Sequence, residues 1–272
     1  MHDKVSARFI DIQASVGPGL FRLSPVLAEV LGQFSANTGD WGVMIREHDP
    51  YLLLGPKDRR LPQLEEATRW ASQQGYPVFM RVGGGSVVLL DRTCLSFAVS
   101  MPCRDLTVWE QNFRVMAQPV IDGLAMLGIP CRFGRAEGSY CEGPFDLVTS
   151  GSGQKISGIA QAIRGGSALV SGMILVEQDP VRTTHFIQEF YRRAGSGQVL
   201  RESVVTALNR LPGFETVTIS AVRDALVRGF AETFDMRPDI LSPQEWATAQ
   251  KLAEARLIAD PTLKENCDAY HH

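Results

Sequence analysis

Cys141 and Lys155 stand fourteen positions apart in GSYCEGPFDLVTSGSGQKISGIAQAIR, with a glycine-rich turn between them. A thiol attacks a carbonyl only as thiolate, and a nearby ammonium favours that form. A lysine can also donate to the oxyanion that develops when a thiolate adds to a carbonyl. The segment could therefore carry acyl transfer through a thioester. Cys141 lies among glycine and proline, in a loop where a thiol can be reached. Read alone, Cys141 is equally a small buried apolar residue, and Lys155 a solvated turn lysine.

The elements that must position these two read as mixed α and β. Alternating or apolar runs predict strands at Trp41–Glu47, Tyr51–Gly55, Val78–Val82, Val87–Leu90 and Leu95–Met101. Further strands are expected at Cys131–Arg135, Phe145–Thr149, Lys155–Ile163 and Ala168–Val176, so Lys155 starts a strand just past a hairpin turn. Helical spacing predicts helices over Ser24–Phe34, Leu61–Gln74 and Val108–Leu127. Past Asp179 the texture turns helical, with helices expected over Pro180–Arg193, Glu202–Arg210, Ser220–Phe234 and Ser242–Ala259. The fold class is α+β: a mixed sheet flanked by helices, with a helical C-terminal section over about 180–265 of one domain spanning 1–272.

Between two of these strands lies Gly83-Gly84-Gly85-Ser86. Three glycines permit positive φ and let backbone approach a ligand closely. The loop lacks the lysine of a phosphate-binding P-loop and is not G-x-G-x-x-G, so the pattern does not imply nucleotide binding. A tight turn explains it equally well.

Composition narrows the rest. With 44% hydrophobic and 21% charged residues, the 272-residue chain can bury a full core. A net charge of −3 with scattered basic residues argues against nucleic acid and anionic membranes. The N-terminus has no apolar h-region and no run approaches the ~18 residues of a membrane span. The five cysteines, Cys94, Cys103, Cys131, Cys141 and Cys267, are odd in number and irregularly spaced. They fit neither a disulfide framework nor a zinc site, so reduced thiols and a cytoplasmic location are expected, and no metal. Cys94, Cys103 and Cys131 are assigned to apolar packing, and Cys267 to a polar tail. His48 and His185 are expected to be surface or satisfied histidines, and the terminal His271 and His272 carry no functional weight.

Several segments together resemble the biotin/lipoate protein ligase and octanoyltransferase superfamily. YLLLGPKDRRLP resembles the strand and turn before its first helix, and FMRVGGGSVVLLD its Arg-x-x-Gly-Gly substrate loop. GSYCEGPFDL resembles the nucleophile segment, GQKISGIAQAIRGG the catalytic-lysine segment, and HFIQEFYRRA and LSPQEWATAQKL its C-terminal helices. Leu90 stands where ATP-using ligases typically carry a histidine, which together with Cys141 resembles the amidotransferase branch. Val82 replaces a polar residue of the substrate loop, and the Ser-Gly-Ser-Gly turn before Gln154 is longer than usual there.

The resemblance implies a ligase-type catalytic core. It implies Cys141 as acyl-thioester nucleophile and Lys155 as the group that lowers the thiol pKa and steadies the oxyanion. Arg81, Gly83, Gly84, Gly85 and Gly158 would bind substrate, with the glycines lining an acyl channel. The implied reaction moves an octanoyl group from octanoylated glycine-cleavage H protein to a lysine of an apo lipoyl domain, without cofactor. The alternatives are an ATP-dependent lipoate or octanoate ligase, an octanoyltransferase with an acyl carrier protein as donor, and a silent acyl-protein binding module.

Overall fold

The computed structural model describes residues 4–260. The first strand, Val5–Ile12 (β1), is followed by a short helix, Pro18–Phe21 (α1), and a 3-10 turn at Ser24–Val26 that leads into Leu27–Thr38 (α2). Trp41–Arg46 (β2) and Tyr51–Leu54 (β3) precede the helix Leu64–Gln73 (α3). Val78–Met80 (β4), Val88–Leu90 (β5) and Cys94–Pro102 (β6) lead to the long helix Trp109–Met126 (α4). Four more strands follow: Cys131–Gly134 (β7), Asp146–Thr149 (β8), Lys155–Arg164 (β9) and Ser167–Leu175 (β10). The chain closes with Pro180–Arg193 (α5), Ile219–Thr233 (α6), Phe234–Asp239 (β11), Pro243–Arg256 (α7) and Leu257–Ala259 (β12).

Eight strands form the main sheet in the order β11-β1-β2-β6-β10-β9-β8-β7, and four form a smaller one in the order β12-β4-β3-β5. In the main sheet β11, β1 and β2 run parallel, and the other neighbours are antiparallel.

Side-chain alternation along β6 shows how the layers stack. Leu95, Phe97 and Val99 belong to the cluster with Phe113, Met116 and Val120 of α4 and Leu226 and Phe230 of α6. On the other face, Ala98 packs with Leu27, Val30 and Leu31 of α2, and Cys94 with Leu52 and Leu54 of the small sheet. Both faces of the main sheet are thus covered, which is why its inner strands read as apolar runs. The helices α4 and α6 come close enough that a Cβ on Gly123 would sit 2.6 Å from the Ala225 carbonyl oxygen.

Most expected elements are present within a few residues, and the structure differs from the expectation at four places. Glu202–Arg210 is two 3-10 turns, Glu202–Val204 and Leu208–Arg210, separated by extended residues. The C-terminal section is not purely helical: β11 joins the main sheet beside β1, and β12 joins the small sheet beside β4. β1 itself carries Arg8 and Asp11 among its apolar residues and was not anticipated. The helix start also shifts, because Ser24 and Pro25 form the 3-10 turn and α2 begins at Leu27. Cys267, His271 and His272 lie outside the described residues. Among the described residues, no helix is long and apolar enough to cross a membrane.

Candidate active site

The site lies where the loop after β4 meets the turn before β8. Arg81 follows Met80 and its backbone N–H donates to the Leu54 carbonyl, which fixes it to the end of β3. Its guanidinium turns back on its own loop and donates to the carbonyls of Gly84 (Nη2, 3.0 Å) and Ser86 (Nη2, 2.8 Å). The same Nη2 lies 3.1 Å from the Cys141 sulfur, and the Ser86 backbone N–H donates to that sulfur at 3.3 Å.

The three glycines do different work. Gly85 has φ +95°, and a Cβ there would sit 2.6 Å from the Cys141 Sγ and 2.7 Å from Arg81 Nη2. Only glycine satisfies both conditions. Gly83 lies on the cavity wall, where an added Cβ would make ordinary contact with Ala160 at 3.5 Å. Gly84 meets nothing within 4 Å, so the expected steric reason for a glycine is absent there.

Cys141 has φ 45°, the one positive φ outside glycine among the described residues. Such a conformation is unfavourable for a side chain and must be held by its surroundings. The turn is tied at both ends: the Gly138 N–H donates to Glu142 at 2.9 Å, and the Gly143 N–H donates to Asp146 Oδ2 at 2.9 Å. Lys155 supplies the third tie. Its ammonium donates to the carbonyls of Tyr140 (3.0 Å) and Cys141 (2.8 Å), and pairs with Asp146 Oδ2 at 2.9 Å. Lys155 and Asp146 are both 1% exposed, so this ion pair is fully buried. Gly158 faces it: a Cβ there would come within 3.3 Å of Lys155 Nζ.

Burial pushes the Cys141 thiol up, but the charges of Arg81 and Lys155 and the Ser86 N–H outweigh it, and the pKa falls below its ordinary value. The other buried thiols go the opposite way. Burial pushes Cys131 up to about 12 and Cys94 further still. Cys94 and Cys131 are buried as expected, whereas Cys103 is half-exposed, its thiol 3.4 Å from the Asp105 carbonyl, so packing does not account for it. Among the described residues, the hydrogen-bond partners of the Cys141 sulfur include no histidine. His185 is exposed and pairs with Glu202 at 2.7 Å. His48 is fully buried, its Nδ1 within 3.0 Å of the Ser24 and Tyr51 hydroxyls.

Cys141 helps to line a cavity together with Arg81, Gly83 and Gly158. Its floor is the main sheet, where Ser96, Ser171 and Ala160 present small side chains. Tyr51 and Leu90 of the small sheet contribute to its other side, beside residues of α2. The space is mostly apolar, as the pockets that take small ligands are. Among the described residues there is no group of three His, Cys, Asp or Glu placed to hold a metal.

The structure therefore brings together Cys141, Lys155, Arg81, Gly83, Gly85 and Gly158. Sequence reasoning missed three participants: the Ser86 N–H, Asp146 and Arg46, which also lines the cavity. Asp146 was within reach, since it opens the strand paired with that of Lys155. A backbone donor such as Ser86 has no sequence signal.

Residues 27–231 match the model of the lipoyl protein ligase A/B catalytic domain. An octanoyl-[GcvH]:protein N-octanoyltransferase of Kyrpidia tusciae is 30% identical over 256 residues, covering 90% of this chain and 84% of that protein. One of the same description from Anoxybacillus flavithermus is 29% identical, covering 88% and 89%. A solved Thermoplasma acidophilum structure, described as a putative lipoate protein ligase with bound lipoic acid, shares the fold. Its TM-score is 0.69 at 24% identity, over 92% of this chain and 95% of that one. With the matched residues running from α2 into α6 to include β2–β10 and the whole cysteine–lysine site, the chain belongs to the lipoyl protein ligase A/B catalytic domain family.

Proposed function

We propose that this chain is a protein N-octanoyltransferase that works through a thioester on Cys141. The donor in this reading is octanoylated glycine-cleavage H protein, as the names of its relatives say of them, and the proposed acceptor is a lysine of an apo lipoyl domain. The observation that carries the reading is the Cys141 thiol. It is held at positive φ, its pKa is lowered by Arg81 and Lys155, and it lies at the edge of an apolar cavity.

In the first half-reaction the Cys141 thiolate attacks the acyl carbonyl carbon. A C–S bond forms, the amide C–N bond breaks, and the donor lysine leaves as an amine after taking up a proton. In the second, the acceptor amine attacks the thioester, the C–S bond breaks, the amine loses a proton, and the thiolate returns. One proton is taken up and one released, and one amide replaces another, so the reaction needs no ATP. The Ser86 N–H and the Arg81 guanidinium donate to the sulfur, and in this reading they steady the oxyanion that forms beside it. The cavity takes the acyl chain, each buried methylene contributing about 0.8 kcal/mol.

Intact mass spectrometry of an ATP-free mixture of enzyme, octanoylated H protein and apo lipoyl domain tests the reading. The expected result is an octanoyl increment on the acceptor that is absent with Cys141→Ala. Transfer only after addition of ATP and free octanoate, and unaffected by Cys141→Ala, would replace it with a ligase.

A further inference from the structure

Arg46 closes β2 and lines the same cavity as Cys141, yet no carboxylate answers its charge. The residue is 5% exposed. Its Nη1 donates to the Ser24 carbonyl at 2.5 Å, and its Nε, buried, has no partner. No ion pair involves it among the described residues. Its ionisable neighbours do not supply an anion: burial keeps the Tyr51 phenol protonated far above its ordinary range and the His48 imidazole neutral.

The other charges on the cavity wall are matched. Glu29 receives two hydrogen bonds from Arg256, at 3.0 and 2.9 Å. Arg81 faces the Cys141 sulfur. Arg46 alone brings a full charge to the cavity without a counterion, an arrangement that burial makes costly unless something pairs with it.

Its position along the cavity is set by strand register. Arg46 pairs with Ser96, Ser96 with Met173, and Met173 with Gly158, which faces Lys155. All four line the cavity. Three strand spacings put the backbone of Arg46 about 14 Å from that of Gly158. An acyl chain attached to Cys141 and laid across this row has its far end directed toward the guanidinium. A methyl terminus would leave Arg46 unpaired. A carboxylate terminus would meet a buried, already desolvated fork of N–H donors suited to it.

We propose that the Arg46 end of the cavity is a carboxylate subsite, so that the protein accepts ω-carboxyacyl chains, the half-amides of medium-length dicarboxylic acids, as well as methyl-ended ones. The proposal rests on the reading of the cavity as an acyl site, but its test does not depend on turnover. Octanedioic acid monoamide and octanamide share an amide head and differ only at the tail, and calorimetry compares their binding to the wild-type protein. The monoamide is expected to bind at least tenfold more tightly. Arg46→Leu is expected to erase that advantage, and Arg46→Lys to keep part of it.

Equal binding of the two amides to the wild-type protein overturns the proposal, as does an advantage that survives Arg46→Leu. If Arg46→Leu does not fold, the wild-type comparison and Arg46→Lys decide. Formation of the Cys141 thioester from octanoylated H protein is measured separately. A missing thioester with an Arg46-dependent tail preference removes the transfer reaction and leaves the subsite. A thioester without that preference does the reverse.

Discussion

The Lys155 ammonium does not reach for the Cys141 sulfur; it holds the carbonyl oxygen of Cys141, 2.8 Å away. Its remaining protons go to the Tyr140 carbonyl and to Asp146, which uses all three donors an ammonium has. The lysine acts on the nucleophile through the backbone that holds it at positive φ and through its charge, which lowers the thiol pKa. Donation to an oxyanion would require one of these three bonds to be exchanged.

Removing Lys155 should therefore cost stability as well as activity. Lys155→Met leaves the buried Asp146 carboxylate without its counterion, and loss of about 3–5 kcal/mol is expected. Urea unfolding measures it. The double variant Lys155→Met/Asp146→Leu, which removes both charges, is expected to recover much of that stability while remaining inactive.

Alkylation by iodoacetamide should follow the Cys141 pKa. The rate rises with pH as thiolate forms, and its inflection is expected below the ordinary thiol value of 9.0. In Arg81→Gln the upward push of burial loses its strongest opponent, so the inflection moves to higher pH. Peptide mapping of the wild-type protein at neutral pH should find Cys141 modified while Cys94 and Cys131 are not. An inflection unchanged by Arg81→Gln would remove Arg81 from the activation of the thiol.

Gly85→Ala tests the close approach of the substrate loop to the nucleophile. The new methyl would meet Cys141 Sγ and Arg81 Nη2 and sit at an unfavourable φ. Acyl transfer is expected to fall by at least a hundredfold with slower alkylation of Cys141. Gly84→Ala, which meets open space, is expected to retain most activity.

Gly229→Ala probes the helix pair behind the sheet, far from the chemistry. Its Cβ would run into the Pro119 carbonyl oxygen across the α4–α6 contact. A destabilisation of about 1–3 kcal/mol is expected from overpacking. Thermal unfolding measures it, and kcat in the folded fraction should be unchanged.

The strands around the site were readable because they are covered on both faces, so Val78–Met80, Cys94–Pro102 and Ser167–Leu175 are nearly continuous apolar runs. Of the strands that escaped reading, β11 is a polar one at the sheet's edge. Phe234–Asp239 carries three charges and a proline, and its pairing partner is more than two hundred residues away. Glu202–Arg210 has helical spacing in part, but its residues make tertiary bonds instead: the Thr206 N–H donates to the Lys155 carbonyl. Cys141, Lys155 and Arg81 were legible from residue type and neighbourhood. Arg46 was not, because an arginine at the end of an apolar strand reads as the point where the chain meets solvent. Its buried guanidinium is held by the Ser24 carbonyl, which comes from another element.

The pairing of β1 with β11 sets an order of events during synthesis. Val5 lies beside Phe234, so this edge of β1 stays open until a segment more than two hundred residues further along has been made. Every residue that contacts the Cys141 sulfur has appeared long before then. A nascent chain thus contains all the residues of the thiol site while its sheet is still unfinished. Its exposed strand edge, rather than its active site, is where a misdirected pairing would begin.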